Sequence, residues 1–161
     1  GGCRLVMYAV AREELDWWAG SLGRVLHDGM FGENLTTEGL DVDGALVGER
    51  WRVGGALLEV AGPRVPCATF GAWMGEPAWV RRFAERGRTG AYLAVVEAGT
   101  VTAGDVVTVV HRPGHGIDVP TVFRAVMGDL DAARAVLAAE VLPDDEHAEL
   151  RGDVERRGAA G

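Results

Sequence analysis

The sequence predicts a mainly β fold with helices, a barrel or sandwich that carries a small helical appendage at its C-terminal end. Three features carry that expectation. Between His27 and Gly55 the glycines Gly29, Gly32, Gly39, Gly44, Gly48, Gly54 and Gly55 punctuate short segments. That is the texture of short strands joined by turns rather than of βαβ units. Residues 50–53 and 56–60 flank Gly54-Gly55 and read as a hairpin. After Pro120 the sequence becomes alanine-rich and helical.

The elements follow in order. Residues 5–10 (LVMYAV) are apolar throughout and read as a buried strand. In residues 11–22, Leu15, Trp18 and Leu22 recur at helical spacing, Glu13 and Glu14 sit in the first turn, and Gly23 suits a C-cap. The prolines of Gly62-Pro63-Arg64-Val65-Pro66-Cys67 lack the donor that a central strand needs, so the strand is expected to stop before them. The Ala68-Thr69-Phe70-Gly71 stretch reads as a flexible segment. Residues 77–86 read as a helix that starts at proline and ends at Gly87. Residues 90–97 form a strand, and the turn at Ala103-Gly104-Asp105 leads into another, VVTVV. Residues 111–116 are a loop. Helices are expected over 122–127, over 130–140 with Asp129 as N-cap, and over 144–157. This divides the chain into a β-rich domain over 1–118, a three-helix-like appendage over 119–157 and a disordered tail over 158–161.

Composition excludes several chemistries. The 161 residues fit one domain with an appendage. A net charge of −8 repels phosphate backbones, so nucleic acid is not an expected partner. No apolar run is long enough to span a bilayer, and no membrane partner is expected. All 16 basic residues are arginine, which removes a lysine Schiff base and a P-loop lysine. Ser21 is the only serine and lies outside any G-x-S-x-G elbow. The 2 cysteines, Cys3 and Cys67, make no disulfide framework, and a cytoplasmic setting is the expectation. No signal peptide is evident. The chain opens at Gly1, as though entering a strand, and reads as a fragment or truncated product.

Three groups of residues could carry chemistry. Cys67 follows a Pro-Arg-x-Pro turn, which would present the thiol in a fixed direction beside Arg64. Such a thiolate is a nucleophile or a soft-metal ligand; the alternative is an inert, buried cysteine. Arg64 and Arg88 sit on turns and suit bidentate capture of an anion, and Arg88 lies between Gly87 and Thr89-Gly90. Arg81, Arg82 and Arg86 read instead as a solvated helix face. The stretch Phe31-Gly32-Glu33-Asn34-Leu35-Thr36-Thr37-Glu38-Gly39 could read a heterocycle edge through Glu33 and Asn34 and hold a phosphate through Thr36 or Thr37. Its favoured alternative is a loop that fixes itself. His111 and His115 are separated by Pro113-Gly114 and do not form a helical zinc pair.

Taken in order, Gly29 through Leu40 (GMFGENLTTEGL), Gly48-Glu49-Arg50-Trp51, Pro63 through Cys67 (PRVPC), Arg81-Arg82-Phe83 and Gly87 through Tyr92 (GRTGAY) resemble the MOSC-domain family, in its YiiM-like branch. MOSC denotes the C-terminal domain of molybdenum cofactor sulfurases. The resemblance runs from Gly1 to about Val110, and the helical tail is similar to an appendage common in that branch.

The resemblance implies a β-barrel-like fold that binds molybdenum cofactor, the molybdopterin dithiolene complex. It implies reduction of N-hydroxylated bases or related small-molecule N-hydroxylated compounds, with electrons from a separate reductase. Cys67 is implied as the molybdenum ligand, Arg64 and Arg88 as holders of anionic cofactor groups, and Glu33, Asn34, Thr36 and Tyr92 as pocket residues. It also implies further N-terminal strands before Gly1, whose lack would leave an open barrel edge. The chain departs from the family pattern at Leu5 and Ala94, where a polar residue and an arginine are usual. Two other functions remain open, a non-catalytic cofactor carrier or persulfide relay and an inactive domain. Oligomeric state is open too, a dimer included.

Overall fold

Alternation along the strands decides which side chains enter the core. In Arg50–Val53 (β3), Trp51 and Val53 are buried while Arg50 and Arg52 face the other way. The computed structural model describes residues 5–161, so Cys3 lies outside the described residues. The other strands are Val6–Ala11 (β1), Leu35–Thr37 (β2), Ala56–Pro63 (β4), Ala91–Glu97 (β5) and Val107–His111 (β6). They make one 6-stranded sheet in the order β2-β1-β5-β4-β3-β6, a half-barrel that is open between β2 and β6.

One face of this sheet packs Ala9, Trp51, Leu58, Val60 and Leu93 against Val42, Ala45 and Val119. On the other face, Tyr8 and Val10 meet three helices: Arg12–Leu22 (α1), Ala68–Met74 (α2) and Trp79–Arg86 (α3). Trp18, Phe31, Phe70, Trp79 and Phe83 form the aromatic centre of that second core. Phe31 and Phe70 lie 5.4 Å apart, edge to face. A third core joins the C-terminal helices Val119–Val126 (α4), Leu130–Ala139 (α5) and Asp144–Ala159 (α6) through Val122, Val136 and Leu150.

The mainly β fold, its hairpin and its helical appendage are as the sequence predicts, and Asp129 caps α5 by accepting from the Ala132 N–H at 3.0 Å. Four local expectations are corrected. First, β1, α1 and β2 form one βαβ unit, with Ala9, Val10 and Ala11 paired parallel to Leu35, Thr36 and Thr37. A strand of 3 residues carries too little periodicity to be read as one. Second, β4 runs on through Gly62 to Pro63, opposite Tyr92 and Ala91. A register shift between Val60 and Gly62 accommodates the extension, and proline is tolerated at the strand's last position. Third, residues 68–71 are helical rather than flexible, because Phe70 and Met74 anchor α2 in the aromatic core. Fourth, α3 starts at Trp79, beyond Pro77, α4 starts at Val119, where Asp118 accepts from the Thr121 N–H at 2.9 Å, and α6 runs on to Ala159, into the 158–161 tail expected to be disordered.

Gly90 sets the approach of β5 to β1. Its φ is +75°, and a Cβ there would meet the Ala9 carbonyl oxygen at 2.5 Å. Its N–H donates to the buried Asp43 carboxylate at 2.9 Å. Gly90→Ala is therefore expected to lose about 2 kcal/mol or more of stability in urea unfolding. The same change at the exposed, helical Gly158, with nothing within 4 Å, should be neutral or slightly stabilising.

Candidate functional site

The segment that leaves β4 places Cys67 as the N-cap of α2, with extended backbone (φ −130°, ψ 171°). Its thiol is exposed. The Phe70 N–H, then the Thr69 N–H and hydroxyl, together with the Arg64 charge, hold the thiol below its ordinary pKa against a smaller desolvation effect. The sequence expectation of a directed thiol beside arginine matches this arrangement, and the α2 amides add a cause that the local sequence does not show.

Arg64 is clamped from several sides. Its backbone N–H donates to Thr89 Oγ1 at 3.2 Å. Its guanidinium lies 3.7 Å from the Phe70 ring centre and 4.9 Å from that of Tyr8. One guanidinium nitrogen donates to the Phe31 carbonyl. The Tyr8 hydroxyl donates to the Thr89 carbonyl at 2.5 Å, and burial raises its pKa well above the usual phenol value. The Tyr92 ring centre lies 5.2 Å from that of Tyr8. Cys67, Arg64 and Tyr92 thus gather around Tyr8 and Phe70.

Glu33, Asn34 and Thr36 behave differently. Glu33 accepts from the Phe31 N–H at 3.0 Å and from the Thr36 hydroxyl at 3.1 Å. Asn34 Oδ1 accepts from the Tyr8 N–H at 2.8 Å, and the Asn34 N–H returns a bond to the Tyr8 carbonyl at 2.9 Å. These side chains spend their polar atoms fixing the loop, the alternative favoured from sequence. Their contribution to the site is to position the Phe31 carbonyl that holds Arg64.

Arg88 is not brought to this group. It donates to Glu14 at 3.2 Å and lies 3.9 Å from Asp43 and 4.0 Å from Asp41. Arg86, read from sequence as solvated, forms a two-point pair with buried Glu14 at 2.7 and 3.1 Å and stacks 3.6 Å from the Trp17 ring centre. Both arginines line a pocket of about 360 Å³ with Glu13, Trp17 and Asp41. Burial pushes the Asp43 carboxyl up in pKa.

A larger cleft, of about 970 Å³, opens between the sheet and the segment linking α5 to α6. Arg50, Arg52, Glu59, Ala94 and Leu142 line it. Ala94 is two residues from Tyr92 on β5 and so shares its face. The side chain at the position where the family pattern carries arginine therefore faces this cleft. Arg50 and Arg52 are each paired, with Glu59 at 3.0 Å and Glu97 at 2.9 Å. His115 is occupied in the structure, its Nδ1 accepting from the Ile117 N–H at 2.9 Å and its Nε2 lying 2.8 Å from the Val47 carbonyl. Among the described residues no group of 3 or more His, Cys, Asp or Glu could hold a metal ion. No described helix is long and apolar enough to cross a membrane.

Sequence reasoning did not select Tyr8, Phe31, Phe70 or Thr89. Three act through rings or carbonyls that only the fold brings to Arg64, so their residue types carry no local signal.

Two outcomes are expected. In a Cys3→Ser background, the alkylation rate of Cys67 by iodoacetamide should rise with pH through a midpoint below the ordinary thiol value of about 8.5. Arg64→Leu should move that midpoint upward. Glu14→Ala leaves Arg86 and Arg88 without their buried carboxylate and should cost about 2–3 kcal/mol in urea unfolding. Glu13→Ala, at an exposed carboxylate, should cost about 1 kcal/mol or less.

Comparison with known proteins agrees with this architecture. The chain is 32% identical over 119 residues to the uncharacterized protein YflK of Bacillus subtilis, covering 74% of this chain and 54% of that one. It is 31% identical over 86 residues to a protein named "Reductase" from Gibberella moniliformis, covering 53% of this chain and 15% of that one. It therefore spans about half the length of the first relative and a small part of the second. Its fold matches the crystal structure of YiiM from Geobacillus stearothermophilus with a TM-score of 0.82 at 22% identity, over 92% of this chain and 77% of that one. Residues 1–108 match the MOSC domain, and the chain belongs to the MOSC domain family.

Proposed function

We propose that the chain binds molybdenum cofactor through Cys67 and reduces small N-hydroxylated compounds, N-hydroxylated bases foremost. The observation that carries this reading is the exposed Cys67 thiol, with its lowered pKa, beside Arg64. A thiolate is the donor that a soft, thiophilic metal centre takes. One guanidinium nitrogen of Arg64 is spent on the Phe31 carbonyl, and the guanidinium also interacts with the Tyr8 hydroxyl. Its remaining donors suit an anionic group of the cofactor. The donor set thus fits the group at the metal and at one anionic point. Arg88 is committed to carboxylates, and Ala94 offers no charge, so Arg64 carries the anion recognition.

The bound cofactor would supply the two-electron reduction that converts N–OH to N–H with two protons and releases water. The chain's own residues bind and orient. Cys67 would offer sulfur to the metal, with the Phe70 and Thr69 amides favouring its thiolate form. Arg64 holds negative charge, kept in place by Phe70, Tyr8 and the Phe31 carbonyl. Electrons would come from a separate reductase. The relative named "Reductase" supports a redox role.

The test is metal content after expression in a host that makes the cofactor. Wild type should carry near-stoichiometric molybdenum and Cys67→Ala less than about a tenth of it. Arg64→Ala should fall severalfold. No metal in the wild type would overturn the reading. Metal without turnover of N-hydroxylated bases, given a competent electron donor, would make the chain a cofactor carrier instead.

A further inference from the structure

We propose that Trp73 is a stacking platform that holds a planar aromatic ring beside the Cys67 thiol and so gives the site its preference for base-like ligands. The inference rests on the reading of Cys67 as the reactive position.

Trp73 stands apart from the other tryptophans. Trp18, Trp51 and Trp79 are buried. Trp17 lies edge-on to Trp18 at 4.9 Å and carries Arg86 over its face. Trp73 is 65% exposed, and among the described residues neither an aromatic ring nor a cation covers it. Its indole is nevertheless held, with Nε1 donating to the Met30 carbonyl at 2.8 Å. A ring fixed by its N–H edge, with no ring or cation stacked on it, has already lost much of its rotamer freedom. A second ring can then stack on it at little further entropic cost.

The indole lies where a ligand on the thiol would extend. Thr69 and Trp73 are four apart on α2, both exposed, and so are neighbours on one helix face. Thr69 lies in the first turn of α2, close enough to the Cys67 thiol to help lower its pKa. Long helical side chains lean toward the helix N-terminus, which here is the Cys67 end. Trp73 is tied to Met30, and Arg64 is tied to the adjoining Phe31 carbonyl. Thiol, guanidinium and indole therefore border one surface between α2 and the 30–31 loop. Six residues of helix separate Cys67 from Trp73 by about 9 Å along the axis, which leaves room for a bicyclic heterocycle. A non-aromatic N-hydroxylated compound would gain nothing from the indole face.

The experiment measures binding by calorimetry to the purified chain without cofactor, for wild type, Trp73→Leu and Trp73→Phe, with molybdenum content determined in parallel on loaded samples. The probes are 6-hydroxylaminopurine, which is planar, and hydroxyurea, which is not aromatic. Trp73→Leu should bind the purine about tenfold more weakly or worse. Trp73→Phe should stay within about threefold of wild type, since a phenyl ring also stacks. Hydroxyurea binding should not change in either variant. The proposal is overturned if wild type does not bind the purine, if Trp73→Leu leaves purine binding unchanged, or if it weakens both probes equally. Trp73-dependent purine binding in a chain that takes no molybdenum would uphold the platform and sink the cofactor reading. Molybdenum held at Cys67 with purine binding indifferent to Trp73 would do the reverse.

Discussion

The guanidinium of Arg64 is the joint on which the candidate site depends. It meets Tyr8 of β1, Phe70 of α2 and the Phe31 carbonyl of the loop before β2, while its backbone holds Thr89 ahead of β5. These four segments are far apart in sequence. A planar cation can stack on two rings and still donate in its own plane, which an ammonium on a flexible stem cannot do. Around that joint, the Glu33–Thr36 and Asn34–Tyr8 hydrogen bonds hold the loop in register with the sheet.

The distribution of arginine explains how an acidic chain keeps a cationic point. Arg86 and Arg88 are absorbed by Glu14 and Asp43, and Arg50 and Arg52 by Glu59 and Glu97. Arg64 has no carboxylate partner among the described residues and is met by two ring faces, the Tyr8 hydroxyl and the Phe31 carbonyl. Its charge is thereby left for the Cys67 sulfur and for whatever binds there. The cost of holding an unpaired cation in a half-buried place is offset by the two aromatic faces.

Much of the fold was legible because periodicity and punctuation agree with tertiary structure in β1, α1, the β3–β4 hairpin and the appendage. The misses share a cause. β2 is too short to show alternation, and α2 is helical because Phe70 and Met74 reach a core that only the whole chain assembles. At the site, Cys67 and Arg64 were legible because proline spacing makes a local statement about direction. Arg88 was misread because a glycine-flanked arginine looks the same whether it meets a ligand or a carboxylate. Glu14 and Asp43, which decide the matter, lie 74 and 45 positions away in the numbering.

The helix that makes the thiol acidic is only 7 residues long. So short a helix has little stability of its own and survives through Phe70, Met74 and the left-handed turn at Gly75. The amides that favour the thiolate belong to its first turn, where fraying begins. The electrostatic setting of the sulfur is thus tied to how firmly the aromatic core holds α2.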